Sequence, residues 1–432
     1  MDVNVRAIAN LGPDDRTAFF ERDAGIEAIR NDVREIVDRV RTEGDVAVRE
    51  FTEEFDGVTV GNLEITDECE RALDDVDEEV QAAIETAVAN VREFHEAQLP
   101  EDWRREFTEG RELGRRFRPL ERVGVYVPGG SAAYPSSAVM GVVPAKVAGV
   151  EHVSVVTPPA DELNPVTLAA IHLAGADAVY SVGGAQAIGA LASGTETIDR
   201  AQKIVGPGNK WVTAAKAEVR GDVEIDFLAG PSEVVVVADE TADPGLVASE
   251  LVAQAEHDPN ASVVAVTDDE PTAEAIGAAV DEQAGARERE EVIRQALSNE
   301  TSGVLYGRSM SEAILFTEAY APEHLGIVAE DDEAILERID SVGSVFLGPD
   351  TPVAAGDYAS GTNHVLPTNG GARVTGGLSV ETFLRSTTVQ RLSSTGLAEI
   401  GDAITTLAEA EGLEAHAESV RRRLERTEGR DP

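Results

Sequence analysis

The chain has 432 residues, 42% of them hydrophobic, with 81 acidic side chains against 36 basic ones and a formal net charge of −45. That length suits roughly two or three domains with buried cores, and the ordinary apolar content excludes general disorder. The charge excludes nucleic acid as a partner, because phosphate would be repelled, and a single cysteine excludes an internal disulfide or a cysteine zinc cage.

The N-terminus, "MDVNVRAIANLGPDDR", lacks the basic start and apolar core of a signal peptide, and no apolar run is long enough to span a bilayer. A cytoplasmic protein with no membrane partner is the expectation, and the lone Cys69 agrees with it. Residues 1 to about 120 read as a helical, acidic region. In "GIEAIRNDVREIVDRV", Ile26, Ile29, Val33, Ile36, Val37 and Val40 fall on one helix face. A second helix is expected over about 77 to 97, ending before Pro100.

Near residue 121 the pattern changes. The short apolar runs "VGVYV", "HVSVVT", "AVYSV", "KIVG" and "VEIDF" alternate with helical segments. A second series follows, with "EVVVVAD", "SVVAV", "GVLYG", "LGIVA" and "SVFLG" again separated by helices. Repeated strand–helix–strand implies mostly parallel sheets covered on both faces, so two Rossmann-like α/β domains are expected. From about 393 to 427 the chain returns to helices, broken at Gly412. Lysine is confined to Lys146, Lys203, Lys210 and Lys216. With so strong a negative charge, this points to a surface adapted to a salt-rich medium, where repulsion is screened.

Three glycine turns follow strands of the first series: "GVYVPGGSA", "SVGGAQAIGAL" and "IVGPGNKWVTAAK". Each can aim backbone N–H groups at a phosphate, although the last lacks the third glycine of the dinucleotide fingerprint. Together they favour a nucleotide crevice more than any one does alone. In "LVAQAEHDPN", Gln254 and His257 share a face of a helix's last turn; as an isolated pair they fit a cap or a surface role better than a metal site. In "APEHLGIV", Glu323 and His324 are adjacent at a strand entrance, where both can face one cavity and move protons; taken alone, two exposed polar residues at a strand end fit the pair equally well. "GDYASGTNHVLPT" puts Asp357 and His364 in a stretch broken by Gly356, Gly361 and Pro367, expected to be an irregular loop. In "EAEGLEAH", Glu411 and His416 flank the break at Gly412 and would converge only around a corner; in isolation an exposed pair fits them better. Four of the seven histidines thus lie in polar, broken stretches beside Glu, Gln or Asp, whereas His95, His152 and His172 lack that context.

In order and wording, "VYVPGG", "VGGAQAI", "GPGN-WV-AAK", "AGPSEV", "QAEHDP", "APEHL", "GDYASGTNHVLPT", "GLSVETFLR" and "AEGLEAH" resemble the histidinol dehydrogenase family over about residues 120 to 416. The resemblance implies a four-electron oxidation of L-histidinol through the aldehyde to L-histidine, with two NAD⁺ reduced in succession. It implies one zinc ion per subunit, held by Gln254, His257, Asp357 and His416. Ser232, His324, Glu411 and the zinc ligands would contact substrate, and Tyr126, Gln186 and Asn209 would contact NAD. His324 would take the alcohol proton, Glu323 would activate water for the second step, and His364 would support the site. Cys69 lies in a charged segment remote from every motif, so a thiol mechanism is not expected. The corresponding organisation is a helical region 1–120 packing with the second α/β domain, a first α/β domain 121–232 contacting NAD, and a second 233–380 carrying metal and catalytic residues. A helical tail 381–432 would complete the active site of the partner in a homodimer. Two rival readings stand beside this one: a related dehydrogenase of another polar alcohol, and a zinc hydrolase without nicotinamide.

Overall fold

The structure, a computed structural model, describes residues 3–22, 25–129 and 133–428. The chain forms two compact units: Met1–Gln98 with Leu120–Phe383, and Leu99–Pro119 with Leu384–Pro432. Among the described residues no helix is long and apolar enough to cross a membrane.

The first unit holds two parallel sheets. One comprises β4 (Arg122–Tyr126), β5 (His152–Thr157), β6 (Ala178–Ser181), β7 (Lys203–Val205) and β8 (Glu224–Ile225). Its order is β6-β5-β4-β7-β8, so the strand order reverses between β4 and β7. The other comprises β1 (Val5–Ala7), β9 (Glu233–Ala238), β10 (Ser262–Thr267), β11 (Gly303–Tyr306), β12 (His324–Val328) and β13 (Ser344–Leu347). Its order is β1-β11-β10-β9-β12-β13, reversing between β9 and β12. The continuous valines of β9 follow from burial on both faces: Val234 and Val236 join one core cluster and Val235 and Val237 the other. The two parallel sheets are as expected.

The helical N-terminal region differs from expectation in its packing partner. The helix Arg30–Glu43 buries Val33, Ile36, Val37 and Val40 against Ile188 and Leu191 of the helix Gly184–Ser193, in the first α/β domain rather than the second. The helix Gly184–Ser193 is apolar nearly all round, so its outer face needs a cover, and the amphipathic stripe supplies it. The first segment does join the second domain, through β1 at its sheet edge and Phe19 in its core, and farther on Asn90 donates to the Ala359 carbonyl at 2.7 Å and Gln98 accepts the Val380 N–H at 3.1 Å.

The second unit corrects two helical expectations. β2 (Trp103–Thr108) and β3 (Arg111–Pro119) form a hairpin, and β14 (Leu384–Leu392) pairs antiparallel with β3. β2 and β3 are rich in charge, β14 is rich in polar residues, and β2 and β14 are mostly exposed, so they lack the apolar alternation that marks a strand. Gly110 turns the hairpin at φ 73°, where a Cβ would lie 1.9 Å from Ser393 Oγ. The helices Ser394–Ala410 and Glu414–Glu428 follow, separated at Gly412 with φ 75° as the sequence suggests.

Candidate active site

Two regions of the first unit carry most of the residues singled out above. The first is the C-terminal edge of the first sheet, where the strand order reverses between the paired β4 and β7 and a ligand crevice is expected of such topology. Tyr126 ends β4, and its Oη accepts the Gly184 N–H at 3.2 Å. Burial pushes this phenol up to about 12. Gly184, at φ 62°, opens its helix; Gln186 lies two residues on. Gln186 donates from Nε2 to Asp56 Oδ2 at 3.4 Å, and its buried Oε1 lacks a partner. Gly206 follows β7 at φ 108°, with its Cβ position 2.2 Å from Tyr126 O, so only glycine fits. Its N–H donates to Asp226 Oδ2 at 2.8 Å, and its carbonyl accepts from the buried Lys216 Nζ at 2.8 Å. Asn209 is the N-cap of the helix Lys210–Val219, with Oδ1 accepting the Trp211 and Val212 N–H groups at 2.9 and 3.2 Å.

The second region is the N-terminal edge of the second sheet, at the β9/β12 reversal. This is the opposite edge from the one where open α/β sheets usually bind ligands. β12 begins at His324, and Glu323 precedes it, following Ala321 at φ 53°. Because Glu323 lies outside the regular strand, strand alternation does not separate it from His324. Both reach the backbone of Glu233, the first residue of β9. The Glu233 N–H donates to Glu323 Oε2 at 2.8 Å, and the Glu233 carbonyl lies 3.1 Å from His324 Nδ1. A carbonyl only accepts, so Nδ1 carries the proton and Nε2 keeps its lone pair. That Nε2 is buried without a hydrogen-bond partner, 3.7 Å from Asp357 Oδ1. Burial, helped by His364 and His257 nearby, lowers His324 to about 4, so the ring is neutral at neutral pH. Burial pushes Glu323 well above the usual carboxylate range; Glu233 and Asp357 add to this, and the Glu233 N–H opposes it.

Asp357 sits in the last turn of a short helix, Val353–Tyr358, so the expected irregular stretch is in part helical. Burial, with Glu250 beside it, raises this carboxyl to about 7. The chain then turns through Gly361 at φ 110°, whose Cβ position is 2.7 Å from Asn90 O, and buried Asn363 donates to Met140 O at 2.9 Å. These ties return His364 to Asp357, with His364 Nδ1 2.8 Å from the Asp357 carbonyl. Burial lowers His364 to about 4. Gln254 is buried in the last turn of the helix Pro244–Ala255, and His257 follows it, lowered by burial. Ser232 is half-buried immediately before β9.

The fold therefore gathers Glu323, His324, Asp357 and His364, with His257 close enough to act on both other histidines. Glu411 and His416 belong to the second unit, where both are exposed on either side of Gly412. Among the described residues no three His, Cys, Asp or Glu side chains group as a metal cage by themselves. As donor types, the imidazole of His257, the amide of Gln254 and the carboxylate of Asp357 suit zinc or a similar first-row divalent ion. Cys69 is buried, and its thiol is pushed up to about 12 by that burial, so thiolate is scarce.

Four residues escaped the sequence reading: Arg22, Asp56, Glu233 and Glu250. Glu233 had a legible signal, a charge opening a fully apolar strand. Glu250 lies one turn before Gln254, accepting the Val353 N–H at 2.9 Å and so tying its helix to the one bearing Asp357.

The model of the histidinol dehydrogenase family matches residues 21–424. The histidinol dehydrogenases of Haloarcula marismortui and Halobacterium salinarum are 73% and 70% identical to this chain, covering 98% and 97% of it and 100% and 99% of those proteins. The crystal structure of histidinol dehydrogenase from Elizabethkingia anophelis superposes with a TM-score of 0.93 at 38% identity, covering 99% of each chain.

Proposed function

Because the chain belongs to the histidinol dehydrogenase family, we propose that it oxidises L-histidinol through L-histidinal to L-histidine in two NAD-linked steps, the last of histidine biosynthesis, in the cytoplasm. The observation that carries this reading is the Glu233 backbone, which holds Glu323 through its N–H and His324 through its carbonyl. Two chemically different steps need two bases, and this backbone sets two side by side.

In the first step His324 Nε2, neutral and bare, accepts the hydroxyl proton as the carbon loses hydride. In the second, water must add to the aldehyde before another hydride can leave. Glu323, once ionised, is a strong base for that water because burial raises its proton affinity. Tyr126, Gln186 and Asn209 would hold NAD⁺, and two NAD⁺ bound in succession would take one hydride each. Gln254, His257, Asp357 and His416 would hold zinc, which would supply a grip on the amine and imidazole nitrogens of the substrate. Ser232 and Glu411 complete the substrate contacts, with His364 supporting Asp357. His416 and Glu411 come from the partner in a homodimer, which supplies the donor missing from the body's own set.

The assay is direct. With zinc, NAD⁺ and L-histidinol in molar potassium chloride, two NADH should form per histidinol consumed, chelator should stop the reaction, zinc should restore it, and Cys69→Ala should remain active. Accumulation of aldehyde with one NADH per histidinol would refute the two-step reading. Loss of activity in a folded Cys69→Ala would refute the thiol-free one.

The surface is adapted to high salt in this reading. Of four lysines, Lys216 is 3% exposed and paired with Asp226, Lys203 is half-buried on the Thr382 carbonyl, and Lys146 is paired with Asp177. Two of the relatives named above come from halophilic organisms. The melting temperature should rise steeply between low and molar potassium chloride as repulsion is screened; a flat profile would remove the salt reading alone.

A further inference from the structure

Arg22 lies in no motif, yet its side chain is 5% exposed and meets a Glu233 side chain that is 1% exposed. Arg22 Nε donates to Glu233 Oε1 at 2.7 Å, and Nη2 donates to Oε2 at 3.1 Å. Nη2 also donates to the Tyr320 carbonyl at 2.9 Å, and Nη1 donates to the Phe19 carbonyl. The guanidinium lies over the Tyr320 ring, 3.7 Å from its centroid. Glu233 Oε1 accepts one further bond, from the Asn369 N–H at 2.9 Å.

A buried ion pair of this kind is a weak stabiliser, since two charges must be stripped of water and apolar side chains of similar volume often do as well. What distinguishes this one is where it sits. Glu233 is the end residue of β9, paired to Ser262 on one side while the β12 ladder starts only at Val234. The end of a strand is free to turn unless something fixes it. The backbone of this end residue is what orients both His324 and Glu323.

We propose that Arg22 is a positioning residue for the reaction. Its fork clamps the Glu233 side chain, and the clamp fixes the Glu233 backbone so that its carbonyl selects the Nδ1–H tautomer of His324 and its N–H holds Glu323. Without the clamp His324 takes both tautomers, and the Nε2–H form has no lone pair for the alcohol proton. The proposal rests on the reading of His324 and Glu323 as the reacting groups, but its first test does not require turnover.

That test uses protein carrying ¹⁵N-histidine, with seven histidines to resolve and His324→Asn to assign the one of interest. Wild type should show His324 as a single Nδ1–H tautomer. Arg22→Met should show a mixture, and Arg22→Lys, which keeps the charge but not the fork, a smaller admixture. In the kinetic arm, kcat for histidinol should fall about tenfold or more in Arg22→Met, since a small displacement of a reacting group costs up to ~10²-fold. KM for histidinol and bound zinc should stay within about twofold, because the interaction lost is one felt in the transition state. A merely structural role would lower the melting temperature and leave the tautomer and kcat per folded site unchanged. If Arg22→Met does not fold, Arg22→Lys carries the test. Either variant, folded, with a single His324 tautomer and unchanged kcat overturns the proposal. Wild type that forms no NADH from histidinol would overturn the functional reading instead, and the tautomer result would stand by itself.

Discussion

The C-terminal edge of the first sheet and the N-terminal edge of the second are built on different principles. The first is made of backbone: positive-φ glycines, a helix N-cap and a buried lysine holding a turn carbonyl. The second is made of buried titratable side chains whose proton affinities are displaced by desolvation. Nucleotide phosphates are well met by oriented N–H groups, which need no titration and tolerate water. Proton transfer needs side chains in a dry place, and the junction of β9 and β12 supplies one.

The comparison makes the second region the incomplete one, since its proposed fourth metal donor is His416 of another chain. Co-expression of Gln254→Ala and His416→Ala chains, each inactive alone, should therefore restore activity. Random pairing gives half mixed dimers with one intact site each, about a quarter of wild-type activity. No recovery, with mixed dimers present, would mean that each chain completes its own site. Within the second region, Glu323→Gln should slow histidinal oxidation far more than histidinol oxidation, by a general-base factor of ~10²–10⁴. Equal slowing would show that the two bases do not divide the steps. In the first region the expected losses are smaller. Gly206→Ala forces a Cβ onto the Tyr126 carbonyl at a positive φ, a strain of about 1–3 kcal/mol, so KM for NAD⁺ should rise roughly tenfold with KM for histidinol unchanged. A change in both constants would mean that the two regions are not separable. Smallest is Asn209→Ala, which removes an N-cap and should lower stability by about 1 kcal/mol, read from denaturant unfolding. A KM effect on NAD⁺ beyond that of Asn209→Ser, which keeps a cap, would show that the amide contacts the nucleotide.

The two regions were also unequally legible. The α/β domains could be read because their strands are buried on both faces and so are apolar without interruption. The histidines could be read because they are few. The Arg22 clamp could not, since one arginine in a charge-rich chain carries no local signal and its partner lies 211 residues away. The three strands of the second unit were missed because their apolar side chains are few and widely spaced, so no period of two marked them. The packing partner of the helix Arg30–Glu43 was misjudged because an apolar stripe shows that a face is buried but not against what. The use of the N-terminal sheet edge was not foreseeable from local pattern, since it depends on which helix ends return there.

The near-absence of exposed lysine has a consequence for anyone wishing to label this enzyme. Lys210, the first residue of the helix behind the Gly206 turn, is the exposed one; the other three are buried or paired. Apart from the N-terminal amine, an amine-reactive fluorophore should therefore attach chiefly at Lys210, beside the turn expected to meet the nucleotide, with the partly exposed Lys146 a slower second site. The same chemistry would leave cross-linking reagents and lysine-directed immobilisation with almost nothing to grip. For this protein, conjugation strategies should be directed at carboxylates.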